Sequence, residues 1–397
     1  MEIRRLTLDD HDQTTALGRE AFGSLPPGTP APARPTTEPT DRRVWGAFRD
    51  GRLLGRVAAY PFASFFGGAS VPTSGIASVA VAAEERGGGL LGELFAAMLE
   101  EAAGLGEVVS TLYPTANGIY RSLGYELVGS YDVASVPTAE LARVRPPTAT
   151  RTRRATVADV PAVRALYAAW AAEQDGPLTR TGPAFAEGDE EVLGEHDAVT
   201  LAVDADDRVV GYAAWDRGHG YDAGASITVQ DLLATTLDGY RALWSMFATF
   251  SSVTGRVRVR TSGQDPARLV LGTSTWDLVE RHPYMLRVCD VVGALDARRV
   301  SVPGLAAEVG FAVAGDRFGS TDGAYRLALG DGPGRCTRTS AGDDVPTFTP
   351  QGLAMLYAGA QSCGNLRLTS HLTGPRRHDH VLDAALGGRP FHVRDYF

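Results

Sequence analysis

Between Ser78 and Tyr125 the apolar positions change period twice. Val79, Ala80 and Val81 form a run of small apolar residues that suits a buried strand. Leu90, Leu91, Leu94, Phe95, Met98 and Leu99 then recur at helical spacing. Gly104-Leu105-Gly106 is placed to end that helix, and a second strand and a short helix carrying Tyr120 follow. Upstream, the pattern predicts a strand over 3–6, a helix from the acidic start Asp9-Asp10 to Phe22, and strands over 44–48 and 53–62. Asp50-Gly51 between those strands is a hairpin signal, and a proline- and threonine-rich loop over 26–39 precedes them.

The middle of the chain repeats this plan. Arg153-Arg154-Ala155-Thr156 leads to Asp159 and a helix through Trp170, and strands over 198–203 and 209–215 form a hairpin across Asp206-Asp207. A strand over 227–229 and a helical run over 243–250 echo the strand and long helix of the first copy. From about Cys289 the pattern changes. Residues 288–295 read as strand, glycine-punctuated strands continue to Leu329, and helices are expected near 350–359 and 379–386. A chain of 397 residues exceeds one ordinary domain. The expected division is 1–142, 150–287 and 288–397, with a linker in the proline-, threonine- and arginine-rich stretch 143–152.

Arg86-Gly87-Gly88-Gly89 lies between the strand and the long helix. Glycines let the backbone approach a ligand and turn successive N–H groups toward it, and the helix N-terminus adds partial positive charge. Arg86 adds a fork of donors suited to phosphate oxygens. A flexible connection is the alternative reading of the same glycines. No Lys-Ser or Lys-Thr follows, as a Walker loop requires, and no acidic residue stands where a dinucleotide fold needs one. A pyrophosphate without nicotinamide or γ-phosphate fits better. The second copy has Ala234-Thr235-Thr236-Leu237-Asp238 at this place, with no arginine and an aspartate that would repel phosphate. That copy is read as structural.

Composition narrows the partners. A net charge of −9 steers polycations toward the surface and argues against nucleic acid. The strong bases are all arginine, as in a chain from a GC-rich genome. Cys289, Cys336 and Cys363 are far apart with no C-x-x-C pair, and His378-Asp379-His380 reads as a polar loop and cap, so no metal site is expected. No apolar run approaches ~18 residues and the N-terminus has no secretory core, so a cytoplasmic protein without membrane partners is expected.

Arg86-Gly87-Gly88-Gly89-Leu90 resembles the R-x-x-G-x-small loop with which GNAT acetyltransferases bind the coenzyme A pyrophosphate, with Leu90-Leu91 where a small residue is usual. Asn117 to Tyr125, NGIYRSLGY, is similar to that family's N-x-x-Y-x-x-x-G-[FY] segment. The three-part arrangement, with 285–295 fitting the entry to the last part, resembles the Eis family of bacterial acetyltransferases. That resemblance implies an α+β chain: two tandem GNAT-like α/β domains, then a sterol-carrier-protein-like α+β domain. It implies acetyl-CoA as cosubstrate, bound by Val79, Ala80, Val81, Arg86, Gly87, Gly88, Gly89, Leu90 and Asn117.

The same resemblance assigns Tyr120 as the acid that protonates the leaving thiolate and the Phe397 α-carboxylate as the base that deprotonates the amine. Tyr113 is a competing acid, and Tyr125 is a packing residue. A Tyr396-Phe397 ending docked only for packing is the alternative to the base role. The implied substrates are primary amines of a polycationic small molecule, aminoglycosides first, with polyamines and lysine side chains as alternatives. A hexameric assembly is also implied. Asp395 and Glu20 are candidate receivers of an ammonium group. A non-catalytic binding protein that uses its third domain is the reading from a different class. Loss of the arginine–glycine loop from only one copy argues against it.

Overall fold

The computed structural model describes the chain apart from residues 25–28, 30–33, 272–275, 299, 301–303, 331–332 and 341–343, so half of the loop expected over 26–39 lies outside the described residues. The first copy of the plan forms β1 (Glu2–Arg5), α1 (His11–Phe22), β2 (Arg43–Arg49), β3 (Arg52–Phe66), β4 (Ala69–Val81), α2 (Leu90–Gly104), β5 (Val109–Leu112), α3 (Asn117–Arg121) and β6 (Glu126–Pro137). The second forms β7 (Arg151–Arg154), α4 (Val160–Ala172), α5 (Asp189–Gly194), β8 (Ala198–Val203), β9 (Val209–Arg217), β10 (Ser226–Ala234), α6 (Leu237–Ala248), β11 (Arg256–Thr261), α7 (Ala267–Val270) and β12 (Asp277–Val288).

Each copy opens with the same anchor. Arg4 donates two hydrogen bonds to Asp10 at 2.7 and 2.8 Å, and Asp10 accepts the Thr7 backbone N–H at 2.9 Å. Arg153, Asp159 and Thr156 repeat the arrangement at 2.8, 2.7 and 2.8 Å. The carboxylate closes a capping box and receives a planar fork at once, which ties the first strand to the helix start.

All twelve strands form one sheet in the order β1-β2-β3-β4-β5-β12-β6-β11-β10-β9-β8-β7. The sixth strand of each copy therefore lies beside the fifth strand of the other: β12 pairs antiparallel with β5, and β6 antiparallel with β11. The two exchanged strands also pair with each other over a long register from Asp277↔Ser135 to Leu286↔Glu126. This reciprocal exchange makes the two copies a single hydrogen-bonded body, and removes one sheet edge from each, leaving β1 and β7 as the outer strands. Helix α2 buries Leu90, Leu94, Phe95 and Met98 against one face of the first half, and α6 buries Leu243, Trp244 and Phe247 against the second.

The remainder forms α8 (Val291–Ala297), β13 (Ala307–Val313), β14 (Gly323–Leu329), β15 (Arg335–Thr339), β16 (Thr347–Phe348), α9 (Pro350–Tyr357), α10 (Cys363–Leu368), β17 (Leu372–Thr373) and α11 (Asp379–Leu386), with a five-stranded sheet ordered β15-β14-β13-β16-β17. The strand expected over 288–295 is a correction: Val288 ends β12, and α8 begins three residues later. Asp290 accepts the Val292 N–H at 3.1 Å as an N-cap. Val291, Ala294 and Leu295 are the buried positions, which is helical rather than strand spacing.

Two buried arginines join the parts. Arg287 on β12 donates to the Leu123 carbonyl and to both Asp316 oxygens at 2.9 Å. Arg298 donates to Asp175 at 2.9 Å and to the Leu386 carbonyl at 2.7 Å. Among the described residues, no helix is long and apolar enough to cross a membrane.

Candidate active site

β4 and β5 run parallel from Thr73↔Val109 to Ile76↔Leu112 and then part, because β5 ends while β4 continues to Val81. A bulge accompanies the split: Ala77 faces Ala58 and Ala80 faces Arg56, so Ser78 and Val79 together oppose Val57. Ser78 adopts φ 51° there. The far edge of β4 thus has no strand partner along residues 78–81 and faces whatever enters the wedge.

The glycine loop stands at the mouth of this wedge. Gly87 and Gly89 have φ 82° and 87°, and a Cβ on either would meet nothing within 4 Å. Glycine is needed there for conformation, and the empty surroundings leave the loop open to a ligand. Arg86 is exposed, and its Nε donates to the Val81 carbonyl at 3.2 Å, which ties loop to strand. Leu90 starts α2 with its side chain buried, so it offers only its backbone N–H outward. Open glycines, a helix N-terminus, a guanidinium and a free strand edge suit a pyrophosphate joined to an extended amide arm. Glu20 accepts the Ala83 N–H at 2.6 Å and props the loop instead of facing an ammonium group.

Asn117 is the half-buried first residue of α3, and Tyr120 on the same helix is 5% exposed. The Tyr120 ring packs 6.1 Å from Phe95 in the α2 core, which also holds Ile76 and Leu112, the last paired residues of β4 and β5. Burial pushes its phenol above the ordinary value against an opposing hydrogen bond with Thr115, so it is held protonated. Tyr125 is fully buried and bonded to Ser110 at 2.7 Å, a packing residue as expected. Tyr113 donates its hydroxyl proton to the Asp395 carbonyl and stands among Tyr284, Tyr396 and Phe397. It is committed to holding the C-terminal segment.

That segment is threaded between the copies. Pro390 and His392 pair with the Asp175 backbone at 3.0 and 2.8 Å, and the Ser262 hydroxyl bridges His392 Nδ1 and the Val393 N–H at 3.0 Å each. Arg394 donates to the Arg260 carbonyl at 2.6 Å, and Arg180 Nε donates to Asp395 at 2.8 Å. The Phe397 ring then packs 4.9 Å from Phe62. It lies over Gly75, where any Cβ would meet the Phe62 ring at 2.4 Å and Phe397 at 3.1 Å. Side chains alternate across a sheet. Gly75 therefore faces Phe397 on one side while Ile76 faces the α2 core with Tyr120 on the other, so the two residues lie on opposite faces where β4 and β5 part.

A cavity of about 740 Å³ opens beside Phe397, walled by Tyr60, Phe62, Phe185 and Tyr396. Its lining carries five carboxylates (Asp41, Glu187, Glu195, Asp231, Asp395) and three arginines (Arg164, Arg180, Arg394). Asp231 and Asp395 share Arg180. Burial raises the Asp231 pKa, but Arg180 and the Tyr212 hydroxyl outweigh it and hold the group ionised. Asp395 is held above its ordinary value by burial and the Asp231 charge, despite Arg180. Asp395 is therefore bound to an arginine rather than free to receive an ammonium. Glu187 and Glu195 make no ion pair among the described residues.

The second copy shows what replaced the loop. Asp238, in the first turn of α6, accepts backbone N–H groups of Thr148, Ala149 and Thr150 at 2.8 to 3.0 Å. Its carboxylate clamps the linker against the start of α6. The role of Arg180, Ser262 and Gly75 toward the C-terminal segment carries no local sequence signal, since that segment lies more than a hundred residues away from each.

A strand wedge, a glycine loop at a helix start and a buried tyrosine behind the split define a GNAT-type acyltransferase. Models described as "Acetyltransferase (GNAT) domain" match residues 2–128 and 176–288, and a "Sterol carrier protein domain" model matches 291–393. An uncharacterized N-acetyltransferase of Streptomyces avermitilis is 30% identical over 353 residues, 82% of this chain and 80% of the relative. The N-acetyltransferase Eis of Mycobacterium tuberculosis is 28% identical over 329 residues, 76% of this chain and 74% of Eis. The crystal structure of a GCN5-related N-acetyltransferase from Kribbella flavida superposes with TM-score 0.82 at 28% identity, covering 100% of this chain and 98% of that one. The chain belongs to the Eis-type GNAT N-acetyltransferases.

Proposed function

We propose that the protein transfers the acetyl group of acetyl-CoA to primary amines of a polycationic small molecule, with an aminoglycoside as the leading class. The observation that carries this is the wedge between β4 and β5, which has the arginine–glycine loop at its mouth and an acid-lined cavity beside its floor. Acetyl-CoA bound there supplies the activated acetyl group as a thioester. Residues 78–81 orient the acyl arm by adding it to the β4 edge, and Arg86 with the N–H groups of Gly87 to Leu90 holds the pyrophosphate, beside Asn117. The Phe397 α-carboxylate takes the proton from the incoming ammonium, directly or through water, and Tyr120 Oη gives its proton to the leaving sulfur. Glu187 and Glu195 attract the remaining ammonium groups.

The units 1–142, 150–287 and 288–397 belong to this proposal, as do a hexameric assembly and a cytoplasmic site of action. Lysine side chains and polyamines are the alternative amines. The test is release of free coenzyme A thiol from acetyl-CoA over a panel of aminoglycosides, polyamines and lysine peptides. Turnover with aminoglycosides above the other amines is expected. Absence of both thiol release and acetyl-CoA binding would return the chain to a non-catalytic binding protein.

A further inference from the structure

The second copy retains a wedge of its own. β10 and β11 run parallel from Ser226↔Arg256 to Val229↔Val259 and then part, as β4 and β5 do. A cleft of about 470 Å³ opens beyond the split. The free end of β10, with Leu232, forms one wall, and Trp170 and Tyr240 add aromatic surface. Leu237 and Leu269, 54% and 89% exposed, also line it. The end that would meet a pyrophosphate is closed, because the linker backbone is bound to Asp238 at the start of α6.

The charge of the cleft is positive. Arg145, Arg241 and Arg394 line it against one carboxylate, Asp265. Asp265 accepts from the Thr261 hydroxyl at 2.7 Å and the Ala267 N–H at 2.9 Å, and it lies 3.6 Å from the Arg394 guanidinium as its ion-pair partner. Arg394 is 6% exposed and tied to the Arg260 carbonyl at 2.6 Å, whereas Arg145 and Arg241 make no ion pair among the described residues and carry the free charge of the cleft.

We infer that this cleft binds a compact organic monocarboxylate with an apolar body. The two unpaired guanidinium groups of Arg145 and Arg241 disfavour a cation, the apolar walls favour a hydrocarbon or aryl body, and the closed phosphate end excludes an intact coenzyme A. The volume falls within the ~300–1,000 Å³ usual for small-molecule sites. Arg394 also lines the cavity beside Phe397, so the occupant lies against the wall that carries Asp395. The inference stands apart from the proposed reaction, since none of its observations involves the first copy's loop.

The experiment titrates the full chain with phenylbutyrate, followed by intrinsic tryptophan fluorescence and by saturation-transfer NMR, with phenylbutylamine as the charge-inverted probe. Saturable phenylbutyrate binding is expected, with phenylbutylamine binding at least roughly tenfold weaker. The double variant Arg145→Glu/Arg241→Glu, both on the surface or half-buried, should weaken phenylbutyrate by a similar factor while acetyl-CoA affinity stays unchanged. Trp170→Phe should reduce the fluorescence change and leave the NMR signal. Absence of saturable binding overturns the inference. So does binding that survives the double charge reversal, or binding displaced by acetyl-CoA, which would assign it to the first copy's wedge.

Discussion

Arg180 and Asp395, separated by 215 positions in sequence, are joined by a 2.8 Å hydrogen bond from Nε to Oδ1. The same guanidinium donates to Asp231 on β10 at 2.5 Å and lies 3.9 Å over the Tyr167 ring. Arg180 holds a left-handed backbone, φ 53°, to make these contacts. A residue of the copy without the arginine–glycine loop thus fixes the chain two positions before Phe397. Arg180→Ala should lower kcat on the order of 10²-fold, because small misplacements of a reacting group carry penalties of that size. KM for acetyl-CoA should not change. Steady-state kinetics checks this, and an unchanged kcat would remove Arg180 from the positioning of the terminus.

Tyr120→Phe should reduce kcat by about 10²-fold or more, the usual contribution of a positioned acid. Tyr113→Phe should act differently, by loosening the Asp395 carbonyl and raising KM for the amine. Because burial holds the Tyr120 pKa above its ordinary value, the wild-type kcat should show no alkaline fall below pH ~10 from this group. Equal kcat for wild type and Tyr120→Phe would exclude the assignment.

Gly89→Ala has room for its methyl group but must hold φ 87°, a strain of about 1–2 kcal/mol. The expected outcome is a raised KM for acetyl-CoA with an intact fold by circular dichroism. Gly88, which lacks the positive φ, is the control: Gly88→Ala should affect KM less.

Arg287→Met leaves the Asp316 carboxylate buried without its partner, and should destabilise the protein by about 3–5 kcal/mol. Adding Asp316→Leu removes the stranded charge and should recover much of that loss in a denaturant double-mutant cycle. Additive losses would show that the pair does not act as a unit.

His392 is 3% exposed, and burial, helped by the Arg394 charge, pushes its pKa down to about 4 from 6.5, against Asp265. The folded protein holds it neutral while the unfolded chain takes a proton below pH 6.5, so its contribution to stability declines from pH 6.5 to about 4 and then levels off. The total is about 3 kcal/mol. Tm against pH for wild type and His392→Gln tests this: the variant should lack that part of the decline, and parallel curves would contradict it.

The strand, glycine loop and helix over 78–104 were legible because their parts are local. Strand, glycines, arginine and helix lie within one short segment, and each residue type serves by its own backbone freedom or charge. The repeat was legible for the same reason, through Asp159 after a first strand in the second copy, as Asp9-Asp10 follows one in the first. The start of α8 was misread because valines at 288, 291 and 292 favour a strand by propensity, while the Asp290 cap and burial spacing decide for helix.

By itself the sequence determined the two-copy plan, the single intact glycine loop and the tyrosine behind it, since these depend on neighbours in the chain. Only the tertiary structure decided that β6 and β12 change places, that Asp238 clamps the linker against the start of α6, and that Arg180, Ser262 and Gly75 receive the C-terminal segment. The physical reason is range. Strand pairing and ion pairing across hundreds of residues depend on which surfaces meet once the chain has collapsed, and no local period records that choice.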